Sequence, residues 1–128
     1  MHLDTCFLID LHRERMRKAE GPAHRLLQEN AGESFAISAP VVMEYCEGFP
    51  SEELWKGLRF VEGFLRIDIG GDAAIRASRN RRSLRLSGAL LPDNDIWIAA
   101  CALESNETLV TRNADHFRRI EGLSVRAY

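Results

Sequence analysis

Blocks of hydrophobic and polar positions alternate along this chain and predict strands and helices in turn. Short apolar runs predict strands at residues 3–5, 34–38, 66–69, 108–111 and 123–126. Longer segments with helical spacing predict helices that begin near residues 5, 23, 41, 51, 72 and 93, and a last short helix after residue 113. This alternation favours an α/β sandwich around a short, mostly parallel central sheet.

The segment from Asp93 to Leu103 stands out because it is apolar on every side of a helix. A helix with no polar face is expected to be buried. Pro92, Asp93 and Asn94 are helix-start signals, and they place Asp95 at the mouth of this buried segment. Two roles stay open for Asp93 and Asp95: they only cap the helix, or one of them is a ligand in an acidic site.

Other acidic residues occupy comparable positions. Asp4 follows the first strand directly, where it can cap a helix, and Glu44 lies early in the third helix among apolar neighbours. Asn113 and Asp115 follow the fourth strand. Because sites in parallel sheets gather at the carboxyl ends of strands, these side chains are expected to converge at one edge of the sheet.

Two helices carry further patterns. The helix after Pro50 has an apolar stripe at spacings of three and four, which predicts core positions at Leu54, Trp55, Leu58, Val61, Phe64 and Leu65. The helix after Asp72 carries five arginines in ten residues, and Arg76, Arg79 and either Arg82 or Ser83 are expected along one side. That side is interpreted as a contact for phosphate groups; a solvated face or a face for an acidic partner stays open.

Composition narrows the class of protein. The 128 residues fit one domain, and a net charge of −2 neither favours nor excludes a nucleic-acid partner. Three widely spaced cysteines and four histidines offer neither a disulfide framework nor zinc-ligand spacing, so buried reduced thiols are expected. No signal peptide and no apolar stretch of about 20 residues is found, which predicts a cytoplasmic protein.

Four segments together resemble one known family. They are residues 3–10, Glu44 in the helix after Ala39-Pro40, residues 94–100 and residues 109–117, and Gly122-Leu123 near the end of the chain also fits. In this order and spacing they are similar to the PIN-domain ribonucleases and, more closely, to the VapC toxins of bacterial toxin–antitoxin pairs. The resemblance implies a single PIN-like domain over residues 1–128 with a three-layer α/β/α architecture.

The resemblance also implies an acidic cluster that binds Mg²⁺ or Mn²⁺ and hydrolyses phosphodiester bonds in RNA. By position, the catalytic residues are Asp4, Glu44, Asp95 and Asn113, with Asp4 and Asp95 as direct metal ligands. The possible accessory residues are Thr5, Asp93, Thr111 and Asp115. The expected RNA contacts are Arg76, Arg79, Arg82 and Arg112. Oxygen ligands without Cys or His suit such hard cations. The family further implies a homodimer and a cognate antitoxin whose tail crosses the acidic groove.

Two positions depart from the family pattern. Cys6 stands where relatives usually have Asn or Ser, and the fourth cluster position is Asn113, with Asp115 two residues later as the alternative. These departures keep a second hypothesis open, namely a catalytically weak PIN-like module that binds RNA or a protein.

Overall fold

A five-stranded parallel sheet forms the centre of the chain in a computed structural model that describes all residues from Met1 to Tyr128. The strands are His2–Leu3 (β1), Ala36–Ser38 (β2), Leu65–Ile67 (β3), Leu109–Val110 (β4) and Val125–Arg126 (β5). Their order is β3-β2-β1-β4-β5, and every pairing is parallel. The predicted sheet is therefore confirmed, with strands of only two or three residues.

Seven α-helices connect and cover these strands. They are Thr5–Arg17 (α1), Pro22–Glu29 (α2), Ala39–Glu47 (α3), Leu54–Val61 (α4), Gly71–Leu86 (α5), Asp93–Glu104 (α6) and Ala114–Phe117 (α7), and a 3₁₀ turn at Ser51–Glu53 precedes α4. Parallel strands require crossover connections, and helices provide them here. The result is the α/β/α architecture that the sequence predicted.

Helix α6 is buried as its composition predicted. Ile96, Ile98 and the run from Ala99 to Ala102 are all buried. The central strands β1 and β4 are buried along their whole length as well. Because small alanine side chains let α6 pack closely, the polar first turn of this helix is held in a fixed place beside the sheet.

The strand order creates a switch point between β1 and β4. From β1 the chain adds β2 and then β3 on one side, whereas β4 pairs with the other edge of β1, with Leu3 opposite Val110. In open parallel sheets, binding sites form outside the carboxyl ends of the strands at such a switch point. Asp4 and Thr111, the residues that follow β1 and β4, therefore occupy the expected position of a site.

The predicted core stripe of α4 is largely wrong. The helix ends at Val61, because Leu65 already belongs to β3 and pairs with Ala36. Val61 is buried and Phe64 packs partly buried against the core, but Trp55 is 58% exposed, and Leu54, Leu58 and Leu65 are exposed too. The helix packs on α3 through Gly57, where a Cβ atom would approach the Phe49 ring to 2.9 Å. This close approach turns a glycine-containing flank inward and the larger side chains outward.

None of the helices combines the length and the apolar character that crossing a membrane would require.

Candidate active site

Asp4 is anchored from both sides of the switch point. Its Oδ1 accepts a hydrogen bond of 2.7 Å from the backbone N–H of Thr5, so Asp4 is the N-cap of α1 as the capping interpretation predicted. Its Oδ2 accepts a 2.6 Å bond from the Thr111 hydroxyl and a 3.0 Å bond from the Cys6 thiol. The side chain is 4% exposed. The cap role and a role in the acidic cluster are therefore compatible.

Cys6 is part of this anchoring. Burial raises the pKa of its thiol, so the thiol keeps its proton and donates a hydrogen bond to Asp4. The backbone N–H of Arg112 donates in turn to the Cys6 sulfur over 3.3 Å. A thiol thus supplies a donor at the position where the family pattern has Asn or Ser.

Glu44 is held by two side chains from other elements. Its Oε2 accepts a hydrogen bond from the Thr5 hydroxyl, and its Oε1 accepts a 2.8 Å bond from the Asn94 amide. Glu44 is partly buried, whereas Glu47, three residues later on α3, is exposed. Helix α3 therefore presents Glu44, not Glu47, towards the first turns of α1 and α6.

Asp95 completes the cluster electrostatically. Burial, together with the negative charges of Asp4 and Glu44, raises the pKa of the Asp95 carboxyl from 3.8 to about 6, while nearby His116 acts in the opposite direction. None of the side-chain hydrogen bonds of the protein involves this carboxylate, so its lone pairs are free. Three carboxylates from three different elements thus lie close enough to repel one another.

The fourth position has two candidates with different surroundings. The backbone N–H of Asn113 donates to the Thr111 hydroxyl over 3.0 Å, which ties Asn113 to the network around Asp4. The Asp115 side chain is 91% exposed and pairs with Arg118 at 2.7 Å. These contacts favour Asn113 over Asp115 as the neighbour of the cluster, and its catalytic role stays a prediction.

Two neighbours of the cluster were missed as site residues in the sequence. Asn94 was interpreted as a helix-start residue, yet its amide binds Glu44, and His116 lies near enough to influence Asp95. Both flank predicted residues, Asn94 beside Asp95 and His116 three residues after Asn113. Asp93, by contrast, is exposed and forms an ion pair with Arg81.

The donor set fits a hard divalent cation. It consists of carboxylate oxygens with amide and hydroxyl groups around them, and Mg²⁺ typically uses only one or two carboxylates and keeps several waters. No group of three or more His, Cys, Asp or Glu side chains lies close enough together to hold a metal ion by itself. Because the Asp95 carboxylate makes no side-chain hydrogen bond and is repelled by Asp4 and Glu44, a cation held by Asp95 would relieve that repulsion.

The arginines predicted to contact RNA do not share one surface. Arg76 pairs with Glu104 at 3.2 Å, and Arg112 pairs with Asp10 at 2.6 Å. Arg79 lies beside Arg119 in one depression, whereas Arg82 lines a different cleft with Arg81 and Arg85. Arg82 therefore lies apart from Arg79, because steps of three residues drift around a helix of 3.6 residues per turn, whereas Ser83 lines the same depression as Arg79. The RNA contacts of these arginines stay a prediction.

Comparison with known proteins agrees with this geometry. The PIN domain pattern matches residues 1–123. The chain belongs to the PIN-domain family. Ribonuclease VapC1 of Methanocaldococcus jannaschii is 31% identical to this PIN-domain chain over 127 residues, which cover 98% of the chain and 85% of that protein.

Solved structures of toxin–antitoxin complexes share the fold of this PIN-domain chain. VapBC2 from Rickettsia felis, bound to a DNA fragment from its promoter, superposes with a TM-score of 0.83 at 26% identity and covers 99% of this chain and 97% of that one. DNA-bound VapBC from Salmonella typhimurium superposes with a TM-score of 0.82 at 25% identity, with coverages of 98% and 96%. The predicted family and α/β/α fold are therefore confirmed.

Proposed function

We propose that this PIN-domain chain is a divalent-metal-dependent endoribonuclease that hydrolyses RNA phosphodiester bonds with Mg²⁺ or Mn²⁺. The observation that carries the proposal is the convergence of Asp4, Glu44 and Asp95 at the switch point of the sheet, with the pKa of Asp95 raised to about 6 by burial and by the other two acids. Such strongly shifted groups cluster at functional sites. The ribonuclease name of the relative from Methanocaldococcus jannaschii supports the same activity.

Each residue of the cluster has a distinct task in this proposal. Asp4 and Asp95 are the direct cation ligands: Asp4 is rigid because three donors hold it, and Asp95 is free to bind. Glu44, oriented by Thr5 and Asn94, holds a water molecule beside them. A divalent cation held by Asp4 and Asp95 would lower the pKa of a water molecule and stabilise charge on the attacked phosphate. Asn113 is assigned the task of orienting the substrate or that water, and the bond from its backbone N–H to Thr111 supports a place beside the cluster.

The biological role follows from the relatives. We infer that the chain is the toxin of a toxin–antitoxin pair, acts on RNA, forms a homodimer and is neutralised by a cognate antitoxin protein. Complexes of VapB with VapC in the structures from Rickettsia felis and Salmonella typhimurium support the antitoxin partner. We also infer that residues 1–128 fold as one PIN-like domain, and the continuous core shared by α1, α6 and the sheet supports this.

The test is RNA cleavage by the purified chain with Mg²⁺ or Mn²⁺, compared with the same reaction in EDTA. Glu44→Gln is expected to abolish most of the cleavage. Glu47→Gln makes the same chemical change one turn away on α3 at an exposed position, and it is expected to cleave like the unmodified chain. Equal loss in both variants, or cleavage that persists in EDTA, would refute the proposal.

A catalytically weak RNA- or protein-binding module is the second candidate, favoured by Cys6 and Asn113 at positions where the family pattern differs. It predicts metal-independent RNA binding with no cleavage by the unmodified chain. Restoring the family's residue type with Cys6→Ser would then change nothing. Cleavage by the unmodified chain that depends on Asp95 would exclude this candidate.

A further inference from the structure

A basic cleft of about 500 Å³ lies between α5 and α6, outside the carboxylate cluster. Helix α5 contributes Ser78, Arg81, Arg82 and Arg85, and α6 contributes Asp93 and Trp97. The four α5 residues follow the spacing i, i+3, i+4, i+7, which places them on one flank of the helix. The same flank does not include Arg76 or Arg79. The cleft therefore shares only Arg82 with the set of arginines that the sequence suggested.

Charge in this cleft is unbalanced. Three guanidinium groups face a single acid, Asp93, whose Oδ1 lies 3.3 Å from Nη2 of Arg81. Both partners of this ion pair are more than half exposed, at 58% and 62%, so the pair is weak and a stronger anion can replace it. Arg82 and Arg85 have no ion-pair partner in the protein. Guanidinium groups without partners match the oxygens of a phosphate group.

Trp97 adds an aromatic surface to the same cleft. It lies four residues after Asp93, on the same flank of α6, and is partly buried, because it packs against the hydrophobic core and also lines the cleft. Arginine beside an accessible aromatic ring is the combination that proteins use for single-stranded nucleic acid, because bases stack on the ring while the cations follow the backbone. The ring therefore favours single-stranded RNA over an acidic protein as the occupant of the cleft.

The first turn of α6 connects the cleft to the carboxylate cluster. Asp93 lines the cleft, whereas Asn94 binds Glu44 and Asp95 completes the cluster. This turn begins after Pro92 without a side-chain cap, so its first backbone N–H groups are available to an anion. One RNA strand that places a phosphodiester at the carboxylates can therefore cross this turn and enter the cleft.

We propose that the cleft of Arg81, Arg82, Arg85 and Trp97 is an anchoring subsite for single-stranded RNA next to the bond that is cut. Arg82 and Arg85 hold phosphates, Trp97 stacks on a base, and Arg81 joins them when a phosphate displaces Asp93. This inference rests on the proposed ribonuclease function and adds the strand state of the substrate and its binding path. The chemistry in the cluster does not require these residues to contact the cut bond.

The experiment measures binding of a labelled polyuridylate oligomer to the full chain carrying Asp95→Asn, so that the RNA stays intact. Adding Arg82→Gln and Arg85→Gln is expected to weaken binding and to reduce the slope of log affinity against log salt by about 1.4, since each phosphate contact on a single strand contributes about 0.7. Adding Trp97→Leu instead is expected to weaken binding about five- to a hundredfold with an unchanged salt slope.

A fluorescence measurement reports on Trp97 directly. The chain has two tryptophans, and Trp55 is exposed on α4. In a Trp55→Phe background, RNA binding is expected to quench the remaining emission. Arg59→Gln removes an exposed arginine from α4 and serves as the matched control, with unchanged affinity and salt slope. Circular dichroism verifies that each variant is folded, including Trp97→Leu, whose side chain packs partly against the core.

The outcomes separate this inference from the proposed function. If the unmodified chain cleaves RNA with metal but the arginine and tryptophan variants keep full affinity and salt slope, the subsite is refuted and the ribonuclease proposal stands. If the unmodified chain neither binds nor cleaves RNA, both are refuted. If the variants lose self-association or binding of an acidic partner protein while RNA binding persists, the cleft is a protein interface and the inference is wrong.

Discussion

The carboxylate cluster and the basic cleft meet at the first turn of α6, but they are built in opposite ways. The cluster is held by partly or fully buried hydrogen bonds between distant elements, such as the bonds from Thr111 to Asp4 and from Asn94 to Glu44. The cleft consists mainly of exposed side chains from one flank of α5 and has one weak ion pair. Rigid geometry suits chemistry at one phosphorus atom, whereas mobile charges suit a flexible strand.

The largest expected effect is a loss of RNA cleavage without a loss of RNA binding. Asp4→Asn and Asp95→Asn should each lower the rate of RNA cleavage more than about 100-fold, because changes that only reach the outer shell of a metal site already cost 10- to 100-fold. RNA affinity should not fall, since both changes remove negative charge. Single-turnover cleavage and equilibrium binding, measured on the same preparations, check the prediction. A parallel loss of affinity would mean that the two regions are not independent.

A smaller loss of RNA cleavage is expected when a hydrogen bond that holds Asp4 is removed. Thr111→Val removes the 2.6 Å hydrogen bond to Asp4 and the acceptor of the Asn113 N–H, with little change in shape. Cleavage should fall about 10- to 100-fold, and a higher Mg²⁺ concentration should be needed for half-maximal rate. The metal titration distinguishes this from a loss of fold. Thr108→Val, at an exposed hydrogen bond with Ser124 in the β4 region, should cleave normally.

Stability should respond in the opposite direction from activity. The folded pKa of Asp95 is about 6, above its ordinary 3.8, so its ionised form is disfavoured in the fold at pH 7. Asp95→Asn should raise the metal-free free energy of unfolding by about 1–2 kcal/mol after allowance for solvent screening. The advantage should shrink as pH falls through 6 towards 3.8, because the wild-type carboxyl then becomes neutral.

Denaturant unfolding in EDTA at several pH values measures this difference. Arg82→Gln in the cleft should change stability by less than about 0.5 kcal/mol at every pH. If Asp95→Asn is more stable than the unmodified chain while Arg82→Gln has unchanged stability, only the cluster is under electrostatic strain. An Asp95→Asn protein that is less stable than the unmodified chain at pH 7 would contradict the raised pKa.

The smallest expected effect is a gain in RNA affinity, and it comes from a residue of the cleft. Asp93→Asn removes the acid that pairs with Arg81 at 3.3 Å and should tighten RNA binding about two- to fivefold, in keeping with the modest strength of exposed ion pairs. Binding at two salt concentrations measures it. Cleavage at saturating RNA should stay close to that of the unmodified chain. Weaker binding would place Asp93 with the cluster, as an accessory residue, instead of with the cleft.

Much of the fold was predictable because its signals are local. The apolar composition of 96–102 predicted a buried α6, and Asp4 directly after a strand predicted both its N-cap and its place at the sheet edge. The stripe on α4 was misleading, because spacing shows that side chains share a face but not what covers that face. Gly57 decided the packed flank by permitting close contact with Phe49. In contrast, the separation of Arg81, Arg82 and Arg85 from the other two arginines of α5 could have been derived from sequence, because residues 78, 81, 82 and 85 have the spacing of one helix flank.

By itself, the sequence determined the alternation of elements, the buried helix, the family resemblance and the identity of the three acids, since each depends on short-range pattern or order along the chain. The tertiary structure decided which side chains touch. Asn94 and Glu44 are 50 residues apart, and Thr111 and Asp4 are 107 apart, yet both pairs share hydrogen bonds. Thr111 meets Asp4 because β4 pairs with β1, and Asn94 meets Glu44 because α6 packs on α3. No local pattern contains either contact. The same packing of α5 on α6 joins a basic cleft to an acidic cluster across one helical turn.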